Sequence, residues 1–223
     1  MKFTVFLRQT WAGFKVLIVL TVVLGILYPA GVWVVSRVPG LEGKAEGSMV
    51  QADGRTVGSS LIGINPIDPN AKKDVTDDRY FHTRPSAVAS DFSATDKTKL
   101  GLGANDANNS APSNLAENSP ILLAQVLARK DYIAKRDGVS PDQVPADAVT
   151  TSASGLDPDI SPAYAYLQVD RVARVNGLSQ DQVHQIVAQS IVNRPLGVLG
   201  DPYVDVMTLN VDVQQALQQR HAG

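Results

Sequence analysis

An uncharged, apolar run of 21 residues, from Val16 to Ser36, constrains this chain more than any other feature. As a helix rising about 1.5 Å per residue, the run would be roughly 31 Å long, which matches the hydrocarbon thickness of a bilayer. Thirteen of its residues are Val, Leu or Ile, so its transfer into lipid is favourable. The sequence therefore predicts a membrane-spanning helix over residues 16–36, between residues 1–15 and a domain over residues 37–223.

The charges that flank this run predict its direction across the membrane. They are Lys2, Arg8 and Lys15 before the run and Arg37, Glu42, Lys44 and Glu46 after it. Because an excess of basic residues is retained on the cytoplasmic side, we expect residues 1–15 in the cytoplasm and residues 37–223 outside the bacterial inner membrane. A cleaved signal peptide is disfavoured, because the apolar run is long and Tyr28-Pro29-Ala30 is a poor cleavage site.

Composition removes several classes of function. The net charge is −2 and the isoelectric point is about 5.9, so a nucleic-acid partner has no electrostatic support. The absence of cysteine excludes disulfides, thiolate nucleophiles and iron–sulfur clusters. At this length, the part beyond the membrane run can form one domain with a hydrophobic core.

The first half of that domain is rich in turns. Asp53-Gly54 is typical of a β-hairpin, and Ser59 to Ile64 predicts a further strand. Residues 87–118 are rich in Ser, Asp, Asn and Ala and cannot bury much apolar surface alone. We expect them either to wrap irregularly over the domain or to order on a partner.

The second half predicts helices and a strand, which gives an α+β class with a single extracytoplasmic domain. Helix starts and stops are indicated from Ser119-Pro120 to Gly138, from Ser161-Pro162 to Asn176-Gly177, and from Ser179 to Arg194-Pro195. A strand over residues 203–209 and a helix over residues 212–220 complete the pattern.

Apolar stripes predict which face of each helix is buried. The stripe of the first helix is Leu122, Val126, Leu127 and Ile133. The stripe of the second is Tyr166, Val169, Val172 and Ala173, and the stripe of the third is Val183, Ile186, Val187 and Ile191. On the second helix, we expect Gln168, Arg171 and Arg174 to lie on the surface.

No set of residues predicts a catalytic, cofactor or metal site. His82, His184 and His221 lack metal-ligand spacing, and each reads as an ordinary surface residue. The acidic group Asp74, Asp77 and Asp78 stands beside Lys72, Lys73 and Arg79, which indicates a solvated charge cluster.

Two short motifs resemble known functional motifs but lack their defining features. Gly101-Leu102-Gly103 lacks the strand and helix of a dinucleotide-binding loop. Ser152-Ala153-Ser154-Gly155 is not a nucleophile elbow, and serines in such a turn normally cap and bend the chain. A membrane-tethered extracytoplasmic enzyme remains the alternative of another class, without a convergent acid, base and nucleophile to support it.

The most distinctive stretch runs from Asp147 to Pro162 and continues to Ala173. It closely resembles the C subunits (KdpC) of the Kdp potassium-transporting P-type ATPase. The likeness includes residues 80–86 (Tyr-Phe-His-Thr-Arg-Pro-Ser), 113–115 (Ser-Asn-Leu) and 204–210, in the same order along nearly the whole chain. Ala116-Glu117 departs from the Gly-Pro usual in that family, and Asp205 departs from its usual Asn.

The resemblance implies an accessory, non-catalytic subunit of a high-affinity potassium uptake complex. Its implied partners are a potassium-binding pore subunit (KdpA), an ATP-hydrolysing P-type subunit (KdpB), a small membrane subunit (KdpF) and the lipid bilayer. ATP and potassium would be handled by those partners, and this chain would carry no cofactor of its own. It would raise the ATP affinity of the pump subunit as a catalytic chaperone, or alternatively form a gating or structural cap over the pore entrance.

Partner contacts are predicted at residues of the same motifs. They are Tyr80, Phe81, Arg84, Ser86, Asn114, Ser154, Gly155, Asp157, Pro158, Gln168 and Arg171. We expect Arg84, Asn114, Asp157, Gln168 and Arg171 to share one polar surface, although a loop such as residues 154–158 can equally serve only to position two helices. Within the membrane, Gly25 and Pro29 are predicted to lie where the helix packs on a partner.

Overall fold

A computed structural model describes residues 3–69, 71 and 74–222, without the side chains of residues 221 and 222. Lys2, Lys72, Lys73 and the side chain of His221, which entered the expectations above, lie outside the described part. The chain divides after Ser48 into two compact units.

The first unit is dominated by one long helix with a widened turn inside it. Helix α1 (Phe3–Val22), a π-helical turn (Val23–Leu27) and helix α2 (Tyr28–Ser36) are continuous over 34 residues, and a short helix α3 (Glu42–Ala45) follows. The long helix is apolar enough to cross a bilayer. It begins 13 residues before the predicted span, because helix continues beyond the uncharged run through residues 3–15.

Pro29 accounts for the widened turn. Proline has no N–H, and its ring crowds the carbonyl four residues earlier, which here belongs to Gly25. The N–H of Tyr28 instead donates to the carbonyl oxygen of Val23, five residues back. This π-type bond widens the turn so that the helix continues past Pro29. Packing of Gly25 and Pro29 on a partner remains a prediction.

The second unit alternates short strands and helices. The strands are β1 (Met49–Ala52), β2 (Arg55–Ser59), β3 (Asp159–Ile160), β4 (Ile191–Val192) and β5 (Tyr203–Asp205). The helices are α4 (Pro120–Asp137), α5 (Ala146–Val149), α6 (Pro162–Leu167), α7 (Val169–Asn176), α8 (Gln180–Ser190) and α9 (Val206–Ala222). The predicted α+β class is confirmed.

Two small antiparallel sheets are present in this unit. Strands β1 and β2 form a hairpin, and β5 lies between β3 and β4 in a three-stranded sheet. Val204 in the central strand is fully buried and pairs with Ile160 on one side and Ile191 on the other. Helices α6, α7, α8 and α9 complete the core with Tyr164, Val169, Val172, Val183, Val187 and Leu209.

The Asp53-Gly54 hairpin is confirmed, since both residues adopt the positive φ that a two-residue hairpin turn requires. The strand predicted over Ser59 to Ile64 is wrong. The Ser59 hydroxyl accepts from the N–H of Leu61, and its carbonyl accepts from the N–H of Ile62. These bonds close a turn, because a serine side chain competes with strand pairing for the local backbone.

Two helix boundaries differ from those predicted. The second predicted helix is interrupted at Gln168, which separates α6 from α7. The third ends at Ser190, because Ile191 and Val192 leave the helix to pair with β5. Sheet pairing thus overrides a helical pattern that runs on to Arg194-Pro195.

The terminal helix starts six residues earlier than predicted. Asp205 Oδ1 accepts from the N–H of Thr208 at 2.7 Å, which is the bond of a helix N-cap. Val206, Leu209 and Val213 then face the core at helical spacing. Asn and Asp are equally good N-caps, so Asp205 in place of the family's Asn retains this function.

Candidate functional site

The residues predicted to contact partners separate by burial into three groups. Asn114 and Ser154 are exposed, whereas Tyr80, Arg84, Asp157 and Pro158 are partly buried. The buried members are Phe81, Ser86, Gly155, Gln168 and Arg171. The single polar surface that was expected to include Gln168 and Arg171 is therefore wrong for these two residues, which are 0% and 2% exposed.

The partly buried group joins the segment around Arg84 to the loop around Asp157. Arg84 Nη1 donates to Asp157 Oδ2 at 3.1 Å, and its Nε donates to the carbonyl of Thr150 at 3.1 Å. Ser86 Oγ donates to the carbonyl of Gly155 at 2.7 Å. We call Arg84, Ser86, Ser154, Gly155 and Asp157 the loop junction.

Serines and a glycine shape the loop junction. Ser152 Oγ accepts from the N–H groups of Gly155 and Asp157, and Ser154 Oγ accepts from that of Leu156. These bonds confirm that the serines bend the chain. Gly155 has φ +74°, and a Cβ on it would lie 2.9 Å from the carbonyl oxygen of Ala111. Only glycine combines this backbone angle with so close an approach.

Gln168 and Arg171 belong instead to a buried polar network. Asp137 Oδ1 accepts from Arg171 Nε at 2.6 Å, and Asp137 Oδ2 accepts from Arg136 Nη2 at 2.8 Å and Nε at 3.1 Å. Arg171 Nη1 also donates to the carbonyls of Asp78 and Tyr80. One carboxylate is thus shared by two guanidinium groups. This sharing links α4, which carries Arg136 and Asp137, to α7, which carries Arg171, and Arg171 connects both helices to residues 78–80.

Gln168 connects this network to the motif at residues 80–86. Its Oε1 accepts from the backbone N–H of His82 at 2.9 Å and from Arg171 Nη2 at 3.1 Å, and its Nε2 donates to the carbonyl of His82. Arg136 Nη2 donates to the hydroxyl of Tyr164 at 3.0 Å. The buried network comprises Asp78, His82, Arg136, Asp137, Tyr164, Gln168 and Arg171.

His82 and Asp78 correct two further expectations, because neither is at the surface. They are 5% and 6% exposed, and His82 Nε2 lies 2.9 Å from Asp78 Oδ2. Burial, and next the positive charge of Arg136, lower the pKa of His82 to about 4. Burial alone would raise the pKa of Asp78, but the contact with His82, the hydrogen bond from the N–H of Tyr80 and the charge of Arg171 together outweigh burial and lower the pKa. His184 is exposed, as predicted, and stacks on Tyr166.

The sequence reasoning missed two residues that hold the irregular segment. Gln125 and Arg129 are fully buried on α4, while Leu127 of the predicted apolar stripe is 54% exposed. Gln125 Nε2 donates to the carbonyls of residues 93, 96 and 99, and Arg129 donates to those of residues 100 and 149.

Residues 87–118 therefore wrap over the domain, which is one of the two arrangements expected of them. The residue types of Gln125 and Arg129 did not indicate burial, and their position on the face of Ile133 was the one clue in the sequence. Together with Ile133 and Arg136 they follow helical spacing on one face of α4.

A group of carboxylates lies where β3 meets β5. Asp159 and Asp205 are paired across these strands, with Asp157 two residues away. Burial, followed by the charges of Asp157 and Asp205, raises the pKa of Asp159 to about 6. Among the described residues, no three His, Asp or Glu side chains are placed to hold a metal ion.

We expect Arg171→Met to lower the free energy of unfolding by about 3 kcal/mol, because Asp137 would keep a buried charge with one partner fewer. Arg174→Met, on the same helix at an exposed position, should cost less than about 1 kcal/mol. Urea unfolding of the full chain in detergent measures both. Equal losses for the two variants would contradict a structural role for the network.

Asp159→Asn should change the pH dependence of stability. The pKa of Asp159 is higher in the folded than in the unfolded chain, so its stabilising contribution is present below about pH 4 and lost as the pH rises through 6. The difference in Tm, variant minus parent, should therefore become more positive between pH 4 and pH 7. A difference that stays constant over this range would show that Asp159 titrates normally.

Comparison with known proteins identifies the family. Residues 10–215 match the family model described as KdpC, the c chain of K+-transporting ATPase. The chain is 42% identical to the KdpC subunit of a potassium-transporting ATPase from Streptomyces coelicolor, over 92% of this chain and 91% of that protein.

Two further relatives carry the same name. The protein of Bradyrhizobium diazoefficiens is 38% identical over 94% of this chain and 98% of its own length. The protein of Methylorubrum extorquens is 40% identical over 92% of this chain and 96% of its own length. The chain belongs to the KdpC family, the non-catalytic C chain of the potassium-transporting Kdp ATPase.

Proposed function

We propose that this chain is a single-pass subunit whose extracytoplasmic domain clamps the potassium pore subunit to the ATP-hydrolysing subunit. In this proposal residues 1–15 are cytoplasmic, residues 16–36 span the membrane and residues 37–223 lie outside. The small membrane subunit and the lipid bilayer complete its surroundings. ATP and potassium are bound by the partners.

The observation that carries this proposal is the internal pairing of the charged and amide side chains of the buried network. Asp137, Arg136, Arg171 and Gln168 are the kind of side chains that an enzyme uses, yet they bond to one another and to backbone carbonyls. Groups engaged in this way hold segments in fixed positions and leave little capacity for a substrate. A rigid adaptor fits this arrangement better than a catalyst.

The charges around the long helix support its direction. Arg8 and Lys15 precede the apolar run with no acidic residue near them. Beyond it, Arg37 Nη1 lies 2.5 Å from Glu46 and 3.6 Å from Glu42, so the basic charge at that end is compensated. The basic residues next to the run are also more numerous before it (Lys2, Arg8 and Lys15) than directly after it (Arg37 and Lys44), so residues 1–15 belong in the cytoplasm.

This direction makes any effect on ATP affinity indirect. ATP is cytoplasmic, and the domain lies across an impermeable bilayer from it. A subunit that binds one state of the pump better than another shifts the population of states, with a coupling free energy of about 1–3 kcal/mol. Such a shift accounts for a chaperone effect without contact with the nucleotide.

Labelling of single cysteines tests the direction. The chain has no cysteine, so Gln185→Cys on α8 creates one exposed thiol in the domain, away from the predicted partner contacts. A membrane-impermeant maleimide should label it in intact spheroplasts. Thr4→Cys, at the other end of the chain, is the matched control and should be labelled only after permeabilisation. The reverse pattern would contradict the proposed topology.

Arg84→Glu tests the loop junction as the contact surface. Arginine is a frequent hot spot, so its reversal should reduce recovery of the pore and pump subunits with the tagged chain about tenfold. The matched control is Arg84→Glu combined with Asp157→Arg, which restores an internal ion pair. If the double variant recovers the partners, the pair acts only as a scaffold, whereas continued loss indicates direct contact.

Withdrawal of the whole chain tests the clamp itself. A complex reconstituted without it should dissociate or transport potassium poorly. Intact assembly with altered potassium affinity would favour the alternative role, in which the domain caps the entrance of the pore. Intact assembly with unchanged affinity would contradict both roles.

A further inference from the structure

The connection from β4 to β5 ends in an entirely apolar tip. Residues 195–200 read Pro-Leu-Gly-Val-Leu-Gly, six positions without a polar side chain. Leu196, Val198 and Leu199 are 89%, 76% and 56% exposed. Three large aliphatic side chains therefore project together from a domain that has a well-formed core elsewhere.

The backbone of this tip is folded so that its own groups pair. The N–H of Gly197 donates to the carbonyl of Arg194, and the N–H groups of Val198 and Leu199 both donate to that of Pro195. Pro195 has no N–H to satisfy. Leu196 has φ +54°, a left-handed angle that is uncommon for residues other than glycine, and its side chain is 89% exposed. Three of the five N–H groups of residues 195–200 are thereby paired within the tip, which lowers the cost of moving them out of water.

The base of the tip carries one compensated pair of charges. Arg194 Nη2 lies 2.7 Å from Asp201 Oδ1, with both side chains largely exposed. This pair stands on either side of the apolar residues, so the polarity changes abruptly from ionic to aliphatic. That order matches the change from headgroups to acyl chains at a membrane surface.

The residue types of the tip favour lipid over protein as its binding partner. The centres of protein interfaces favour Trp, Tyr and Arg, and Leu and Val are under-represented among their hot spots. The tip offers only aliphatic groups, with no side-chain donor or acceptor to set a protein partner's register. A bilayer requires no such register. The long apolar helix can anchor the chain in a bilayer, which raises the effective concentration of lipid for the tip.

We propose that residues 195–199 form a lipid-binding tip that inserts into the outer part of a bilayer. The three exposed side chains enter the boundary between headgroups and acyl chains, while Arg194 and Asp201 remain at headgroup level. The binding is hydrophobic and carries no net charge, so it does not require anionic lipid.

Fluorescence quenching in the full chain tests this inference. Leu196→Cys gives a single thiol for an environment-sensitive dye, and the protein is placed in phosphatidylcholine vesicles with nitroxide-labelled lipids. Leu123→Cys is the matched control, an equally aliphatic residue that is 62% exposed on α4. Val198→Cys repeats the measurement if the first variant folds poorly.

We expect lipid nitroxides to quench the dye at 196 and 198 but not at 123, at a depth of about 5–10 Å below the surface. Raising the salt concentration should leave this quenching unchanged. Quenching by aqueous iodide instead would overturn the proposal. Protection from both quenchers that increases with protein concentration would also overturn it, because a second copy of the chain would then be the occupant.

Discussion

The domain depends most on the carboxylate of Asp137, which is paired with the guanidinium groups of both Arg136 and Arg171. Buried charges are tolerated only when they are paired and every remaining donor or acceptor finds a partner. To meet that condition, Arg171 extends to the carbonyls of Asp78 and Tyr80, and Gln168 binds the backbone of His82. Segments almost a hundred residues apart in the sequence are thereby fixed together.

The same principle explains how a domain with such short strands keeps one structure. Strands of two and three residues offer few ladder bonds, and residues 87–118 contribute only isolated bridges. Side chains of α4 supply the missing partners, since Gln125 alone serves three carbonyls of the irregular segment. Buried polar side chains therefore replace regular sheet pairing, and the result is a stiff frame that holds Arg84, Ser154 and Asp157 of the loop junction at or near the surface.

A stiff frame suits the non-catalytic C chain of a transport complex. Such a subunit can influence a pump only by binding its states unequally, and a surface that keeps its shape converts that preference into coupling more fully than a flexible one. The loop junction and the aliphatic tip are different in kind, since one is polar and bonded to the frame while the other is apolar and bonded only to itself. These differences favour protein contact for the first and lipid contact for the second.

The sequence by itself determined the local features. A long uncharged run, Ser-Pro and Ser-x-x-Gln helix starts, Gly stops and the Asp-Gly turn each depend on a few adjacent residues, and the α+β class and most helix starts followed from them. Only the tertiary structure decided where helices yield to sheet pairing at Ile191, and where an alternating run becomes a helix at Val206. It also decided that Gln125, Arg129, Gln168 and Arg171 are buried. The physical reason is that a polar side chain is placed inside or outside by the partners it meets, and those partners are distant in sequence.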